Sequence, residues 1–409
     1  LAFSGCDQDL ETPPEVTVTG EMVDLQPQQT PIRNQGSRTT CIAFAATAAL
    51  EASYKRLGYG SLDLSAEFMN YMGKTFWLHP VWDEIVAKGN DGSETQVGAF
   101  GGGGGGGYVF DMWQRGLKIP LNDVMPYQPI SYSTENDPTL VHDDWTSPLY
   151  QKQRNMSHFN LDSNKLTHDI LHAEKYYGVG LAKYYDDATK ARDTDFIEQI
   201  LKRKIEVVWD FAGAAPWDEG GMNEDNIWQS CSSCSTIAHA MVIVGFDKTD
   251  PDPNNHYFLV KNSWGGAWTG TDDDYTLISY DYVRQYGIAV GYIEIPLLDP
   301  KPWDELKFIG RWQLVFDGHH GELDIYHLPG YWFDRLIEDK RLGSFYNANG
   351  EAYKVNGSIE DNKITFYIDG ENPDQRWDAI SGRKFEYYLS DEDYMSGFHT
   401  DPDDKEYAG

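Results

Sequence analysis

Apolar residues recur at helical spacing over 41–57 (CIAFAATAALEASYKRL), with Lys55 and Arg56 in the last turn before Gly58, which predicts a helix opening at Cys41. Seven glycines at 101–107 precede Tyr108-Val-Phe-Asp-Met-Trp113, a second helical segment. The glycine run reads either as a flexible stretch or as backbone bared for close approach of a ligand. Residues 128–160 are rich in Pro, Ser, Thr, Asn and Asp and predict a long irregular insertion. Two helices are expected next, Leu161 to Tyr177 and Asp195 to Lys204, the second with Asp195 and Glu198 spaced as a capping box. The runs 239–246 (HAMVIVGF) and 256–261 (HYFLVK) are apolar and β-branched, flank a turn-rich stretch, and predict a buried hairpin.

After Pro296-Leu-Leu-Asp-Pro300 the pattern changes to short alternating segments: Trp312 to Phe316, Glu322 to His327, Ser344 to Tyr346, Tyr353 to Ile359, Lys363 to Ile368 and Lys384 to Leu389. Period-two alternation with Gly, Asn or Asp in the gaps is the pattern of an antiparallel barrel or sandwich. The expected organisation is a tether over 1–23, an α+β domain over 24–298, and an all-β domain over 303–409.

Charge narrows the function. The chain of 409 residues has 65 acidic and 33 basic side chains, a net charge of −32 that is not confined to a tail. Phosphate binding needs a basic surface, so a nucleic-acid partner is excluded. Hydrophobic content of 40% is too high for a disordered acidic chain. Acidity so evenly spread reads first as a solvating surface and second as an attraction for cationic substrates. No apolar run is long enough to span a bilayer.

Four cysteines are too few for a disulfide scaffold at this length. Cys231-Ser-Ser-Cys234 reads as a local disulfide or two free thiols. The start, Leu1-Ala-Phe-Ser-Gly-Cys6, resembles the end of a bacterial lipoprotein signal, with Cys6 the lipidated residue. A membrane tether through Cys6 and an extracytoplasmic location follow from that resemblance as expectations.

Three polar residues sit in apolar or glycine-marked settings: Cys41 at a helix start, His239 opening a buried strand, and Asn262 closing the next. A nucleophilic cysteine needs a base, and the base needs an orienting group to set its tautomer. Gln35-Gly-Ser-Arg-Thr-Thr-Cys41-Ile-Ala-Phe44, His239-Ala-Met-Val-Ile-Val-Gly245 and Lys261-Asn-Ser-Trp264-Gly265-Gly-Ala-Trp268 resemble the three signature blocks of papain-like cysteine peptidases. Gly106-Gly107-Tyr108 and Met125-Pro126-Tyr127 are similar to two further stretches of that family, and the resemblance covers 24–295.

The resemblance implies a two-lobe fold, a helical lobe with Cys41 and a β-rich lobe with His239 and Asn262. It implies that Cys41 is the nucleophile, His239 its base, Asn262 the orienter of His239, and Gln35 with the Cys41 N–H the oxyanion hole. Gly106, Gly107, Ala240, Trp264 and Trp268 would line the substrate cleft, the glycines by pairing with an extended peptide. The implied activity is hydrolysis of peptide bonds in a protein or peptide substrate, by an endopeptidase that uses no cofactor. His168 and His172 lie four apart on an expected helix, but no third ligand accompanies them, so no metal is expected. The sequence departs from the family pattern at Arg38, where relatives carry a bridging cysteine, and at Ile42, where they carry Trp.

Residues 303–409 hold no comparable constellation and loosely resemble small avidin- or lipocalin-like barrels. Trp312, Tyr331, Trp332 and Trp377 read as core or as the lining of a ligand cavity. The domain is expected to bind a ligand or to contact the cleft of the same chain. Two rival functions have their own signatures: a surface binding protein on a peptidase fold, and an acyl-cysteine transferase that passes the acyl group to an amine.

Overall fold

The computed structural model describes residues 10–36, 40–70, 72, 107–114, 116–127, 168–265, 275–316, 319–325, 341–350, 352–369, 383–391, 394–400 and 406–408. The chain divides into two compact units, one of residues 1–74, 81–159 and 176–300, the other of 75–80, 160–175 and 301–409.

The first unit is built on a sheet of strands β1 (Thr17–Val18), β2 (Met22–Asp24), β3 (Lys118–Ile119), β4 (Tyr177–Tyr185), β5 (Val207–Ala214), β6 (Ile227–Trp228), β7 (Thr236–Asp247), β8 (Tyr257–Lys261), β9 (Thr276–Ser279) and β10 (Gly287–Pro296). Their spatial order is β3-β4-β10-β5-β7-β8-β9-β6, with β2 added to β7 and β1 to β2. All pairs are antiparallel except β6 with β9. Helix α1 (Cys41–Arg56) packs on β7 and β10, and α2 (Gly107–Gln114) packs on β4. The expected hairpin is present as β7 and β8, paired from Val242 opposite Lys261 to Asp247 opposite Tyr257.

Helix α1 is buried on every side from Ile42 to Tyr54, and its six alanines let the sheet approach closely. Glu51 in its middle is 1% exposed and is neutralised where it lies, by Arg33 at 2.9 Å, the Leu64 N–H at 2.8 Å and the Thr30 hydroxyl. Arg56 in the last turn reaches both oxygens of the buried Glu206 at 3.1 Å. These pairs are retained because an isolated charge there would cost far more than the pair.

Two of the expected helices differ. Residues 161–167 lie outside the described residues; among the described ones a helix covers His168–Leu171, and Tyr177 already belongs to β4. The other helix, α3, spans Thr194–Lys202 and is capped by Asp193, whose carboxylate accepts from the Phe196 N–H. Asp195 is merely in the first turn, and Glu198 turns inward to Lys248 at 2.6 Å and Tyr280 at 3.0 Å. A carboxylate held by Lys248, Lys202 and Tyr280 is not available to close a capping box.

The second unit is one antiparallel meander of β11 (Gly310–Phe316), β12 (His319–Ile325), β13 (Arg341–Asn347), β14 (Ala352–Glu360), β15 (Lys363–Asp369), β16 (Lys384–Asp391), β17 (Tyr394–Thr400) and β18 (Glu406–Ala408), each strand beside the next in sequence. Leu314 and Phe316, Leu323 and Ile325, Ile364, Phe366 and Ile368, and Phe385 and Tyr387 alternate onto its inner face as one core. The expected barrel or sandwich narrows to a single sheet: β11 and β18 do not pair among the described residues, so the domain is a half-barrel. Trp312 packs against the core and donates its indole N–H to the Phe308 carbonyl at 2.9 Å. Tyr331, Trp332, Trp377, Cys6 and the glycines 101–106 lie outside the described residues.

Candidate active site

Cys41 is the first residue of α1 and a free thiol. The residue before it, Thr40, does not cap the helix with its side chain. Its hydroxyl instead meets Tyr127 Oη at 2.7 Å, and the Tyr127 hydroxyl donates to the Gln35 carbonyl at 2.8 Å. Tyr127 has one proton, spent on Gln35, so Thr40 is the donor in the other bond. Without a capping side chain the first amides of α1 remain available to the thiol. The N–H groups of Cys41 and Ile42, and that of Ala240 on β7, all draw its charge. Burial outweighs them and pushes the Cys41 thiol up to about 11, and the Asp210 carboxylate adds to the rise.

His239 and Asn262 come from neighbouring strands of the hairpin. His239 Nε2 lies 2.8 Å from Asn262 Oδ1. The Ser263 N–H also donates to Oδ1, at 2.7 Å. An N–H can only donate, so this bond fixes which amide atom of Asn262 is oxygen and makes His239 Nε2 the donor. Nδ1 of the neutral ring is therefore the basic nitrogen. Burial pushes His239 down to about 4, against the smaller opposing effect of the Asn262 bond.

The imidazole stacks on Trp264, centroids 4.4 Å apart, and Phe211 meets it edge-on at 6.0 Å. Trp264 is itself backed by Trp228 at 6.0 Å and Trp217 at 6.3 Å.

The segment 33–35 is stitched to 263–265. The Gln35 N–H donates to the Ser263 carbonyl at 2.8 Å, and the Ser263 hydroxyl donates to Gln35 Oε1 at 2.6 Å. This bond orients the carboxamide, with its NH2 group at the end away from Ser263. Gly265 turns the chain with φ of 73°, a region open chiefly to glycine, and its N–H reaches the Arg33 carbonyl at 3.2 Å. Lys261, 5% exposed, donates to the Thr30 carbonyl at 2.8 Å and hydroxyl at 3.0 Å, which anchors the end of β8 just before Asn262. Burial pushes its ammonium down to about 8.

The fold thus brings Asn262 to His239, and brings the Cys41 thiol to Ala240, the residue after His239. Gly107 opens α2, while Gly106 and Trp268 lie outside the described residues. Sequence reasoning missed Tyr127 as a brace, Ser263 as the group that fixes the amide of Asn262, and Asp210 beside the thiol. A lone Asp in the apolar run Val207–Ala214 was the available signal for the last. Cys231 and Cys234 form a disulfide, and Tyr286 Oη accepts from the Cys231 N–H at 3.1 Å.

Residues 98–293 match the model of the papain family cysteine protease, an interval that holds His239 and Asn262 and begins after Cys41. No curated protein matches the chain in sequence. Among solved structures, a clostridial cysteine protease, Cwp84, after propeptide cleavage aligns at 17% identity with a TM-score of 0.45, over 70% of this chain and 58% of that one. The cysteine protease and lectin-like domains of Cwp84, a surface layer associated protein of Clostridium difficile, align at 17% identity and 0.45, over 76% of this chain and 58% of that one. Xylellain, a cysteine protease from Xylella fastidiosa, aligns at 18% identity and 0.44, over 72% of this chain and 94% of that one. The chain spans 58% of the length of the two Cwp84 structures.

Proposed function

We propose that this chain, which carries a papain-family cysteine protease catalytic domain, is a cysteine endopeptidase with Cys41 as nucleophile, His239 as general base and acid, and Asn262 as the orienter of His239. The observation that carries the reading is the convergence of His239 Nε2 and the Ser263 N–H on Asn262 Oδ1, which leaves Nδ1 as the ring's proton acceptor.

With Cys41 held near 11 and His239 near 4, the resting pair is thiol and neutral imidazole. The proton passes from Sγ to Nδ1 as sulfur attacks the peptide carbonyl. The imidazolium then protonates the leaving amine, and the neutral ring activates the water that cleaves the acyl-enzyme. The Gln35 carboxamide and the Cys41 N–H would receive the oxyanion, where one such donor is worth about 3–4 kcal/mol. Ala240 and Trp264 would border the substrate, with Gly106, Gly107 and Trp268 completing the cleft.

The peptidase domain is assigned to 24–298 and the β domain to 303–409, with 1–23 as a tether. An extracytoplasmic location is part of the reading, supported by the Cys231–Cys234 disulfide, since such bonds persist in oxidising compartments. A lipid anchor at Cys6 completes it, and fatty-acid labelling lost in Cys6→Ser would test that element.

The decisive experiment is intact-mass analysis after an epoxysuccinyl thiol probe, on the native chain beside Cys41→Ala and His239→Ala. Stoichiometric labelling lost in Cys41→Ala and greatly slowed in His239→Ala is expected. A folded chain that takes no label would overturn an open, activated nucleophile.

A further inference from the structure

Trp217 is 53% exposed and, among the described residues, the one tryptophan left so open to solvent. A single exposed apolar side chain needs no explanation by itself. What marks this one is its place. Its ring meets that of Trp264 at 6.3 Å, and Trp264 stacks on the His239 imidazole at 4.4 Å. Trp228, the other indole against Trp264, is 2% exposed and belongs to the core. A row of rings therefore begins at the imidazole and ends at an indole in contact with solvent.

The loop that carries Trp217 is built to hold it there. The Ala215 N–H donates to the Ser235 carbonyl at 2.8 Å, and the Ser235 hydroxyl donates to the Asp218 carboxylate at 2.6 Å. The Gly221 N–H closes a turn onto the Asp218 carbonyl at 2.9 Å, and a Cβ at Gly221 would lie 2.3 Å from the Ala215 carbonyl oxygen. Bonds on both sides of Trp217 thus fix the backbone from which the indole projects. A side chain presented on a fixed backbone binds without first having to be ordered.

The direction of the bound peptide follows from the chemistry. In the proposed mechanism His239 gives its proton to the leaving amine, and that nitrogen belongs to the residue after the scissile bond. The departing half of the peptide therefore runs over the imidazole's side of the site, where the indoles continue the surface. An extended chain advances about 3.3–3.6 Å per residue, so the two ring separations place Trp217 within roughly three residues of the bond.

We propose that Trp217 is a specificity-determining residue whose exposed indole receives an aromatic side chain from one of the first three residues after the scissile bond. The assignment rests on the peptidase reading for its reaction, but contact with the departing segment can be read without turnover. Aromatic side chains gain most from such a face, because ring-on-ring contact adds to the apolar area buried. Asp218 and Glu219 follow Trp217 directly, so an acidic residue at the same position meets like charge. A Trp217 that served only to support Trp264 would give no preference after the bond.

The test uses the full chain, with Trp217→Ala and Trp217→Phe beside it. It reads kcat/KM on peptides in which Phe, Ala and Glu are exchanged at each of the first three positions after the bond. Phe is expected to exceed Ala by about tenfold at one position in the native chain, with Glu below Ala. Trp217→Ala levels that preference and Trp217→Phe keeps part of it. A peptide methyl ester has no residue after the bond that is cut, so its kcat/KM should stay within twofold of native in Trp217→Ala. Fluorine NMR of the fluorotryptophan-labelled chain, with Trp217→Phe assigning the resonance, reads binding without turnover. A tripeptide amide containing Phe should shift the Trp217 signal, and one of alanine alone should not.

An active enzyme indifferent to Phe at all three positions overturns the inference and leaves the peptidase standing. So does a preference that survives Trp217→Ala, or an equal loss on ester and peptides, which marks a structural role. If neither peptides nor ester are cleaved, the peptidase reading falls, and the NMR titration decides for the aromatic site: a shift with the Phe tripeptide supports it and no shift overturns it. Should Trp217→Ala fail to fold, the native peptide series and the tripeptide titration still decide.

Discussion

The His239 imidazole lies almost parallel to the Trp264 indole, centroids 4.4 Å apart and planes inclined by 20°. The indole thereby keeps water from one face of the ring that shares a proton with Asn262. Trp264→Ala should lower kcat/KM by roughly 10- to 100-fold, because the ring loses both its stacking partner and its protection. Trp264→Phe should lose less. Steady-state kinetics on both variants check this, and an alanine variant within twofold of the native chain would contradict it.

In the proposed mechanism Asn262 acts through orientation, so the size of its effect should depend on what replaces its oxygen. Asn262→Ala should reduce kcat on the order of 100-fold with a small change in KM, as expected when a base loses the group that sets its tautomer. Asn262→Asp keeps an acceptor for His239 Nε2 and for the Ser263 N–H and should retain more of kcat. It should also raise the pKa of His239, which the acid limb of the pH–rate profile would report.

His239 and Cys41 together set a pH window for stability. His239 is held at about 4, below its ordinary 6.5, so between those values the unfolded chain binds a proton that the folded chain refuses. Stability should therefore fall as pH drops through that window, by about 3 kcal/mol at most. Cys41 is held at about 11, above its ordinary 9.0, so the unfolded thiol ionises first and stability should fall again as pH rises from 9 towards 11. Urea midpoints across pH should show both limbs, with the acid limb reduced in His239→Gln and the alkaline limb in Cys41→Ser. A midpoint flat from pH 7 to 4 would disprove the first.

Tyr127 holds the segment before Cys41 at two points, the Gln35 carbonyl and the Thr40 hydroxyl. Tyr127→Phe should cost about 1–2 kcal/mol of unfolding free energy, since it strands both buried partners. A double-mutant cycle with Thr40→Val should give a coupling of at least about 0.5 kcal/mol. Additive losses in denaturant titrations would mean that the two side chains act independently.

The Cys231–Cys234 bridge closes a very short loop. Replacing both cysteines by serine should therefore cost no more than about 2 kcal/mol, by loop-closure entropy. Probe labelling of Cys41 should proceed in that variant at nearly the native rate. Loss of labelling would show that the bridge also holds the aromatic side chains behind His239.

The candidate site was legible along the chain because its side chains stand in fixed local settings. Cys41 at the start of an alanine-rich helix, and His239 and Asn262 at the ends of two β-branched runs, are positions that local pattern alone marks out. Helix ends were less legible. Asp193 and Asp195 are equally good caps in sequence, and only the inward turn of Glu198 to Lys248 and Tyr280 decides between them. In the β domain, period-two alternation located the first six strands, while whether the sheet closes depends on curvature and register that alternation does not encode.

By itself the sequence determined where a thiol, an imidazole and a carboxamide stand in apolar settings, and that an α+β region precedes an all-β one, since periodicity and side-chain chemistry are local properties. Tertiary structure alone decided which atom of Asn262 faces His239, which group braces Gln35, and that Asp210 lies near the Cys41 thiol. Those facts depend on strand register between segments such as β5, β7 and β10, which lie far apart in the chain. A one-residue slip there would send Asp210 to the opposite face of the sheet without changing a single letter of the sequence.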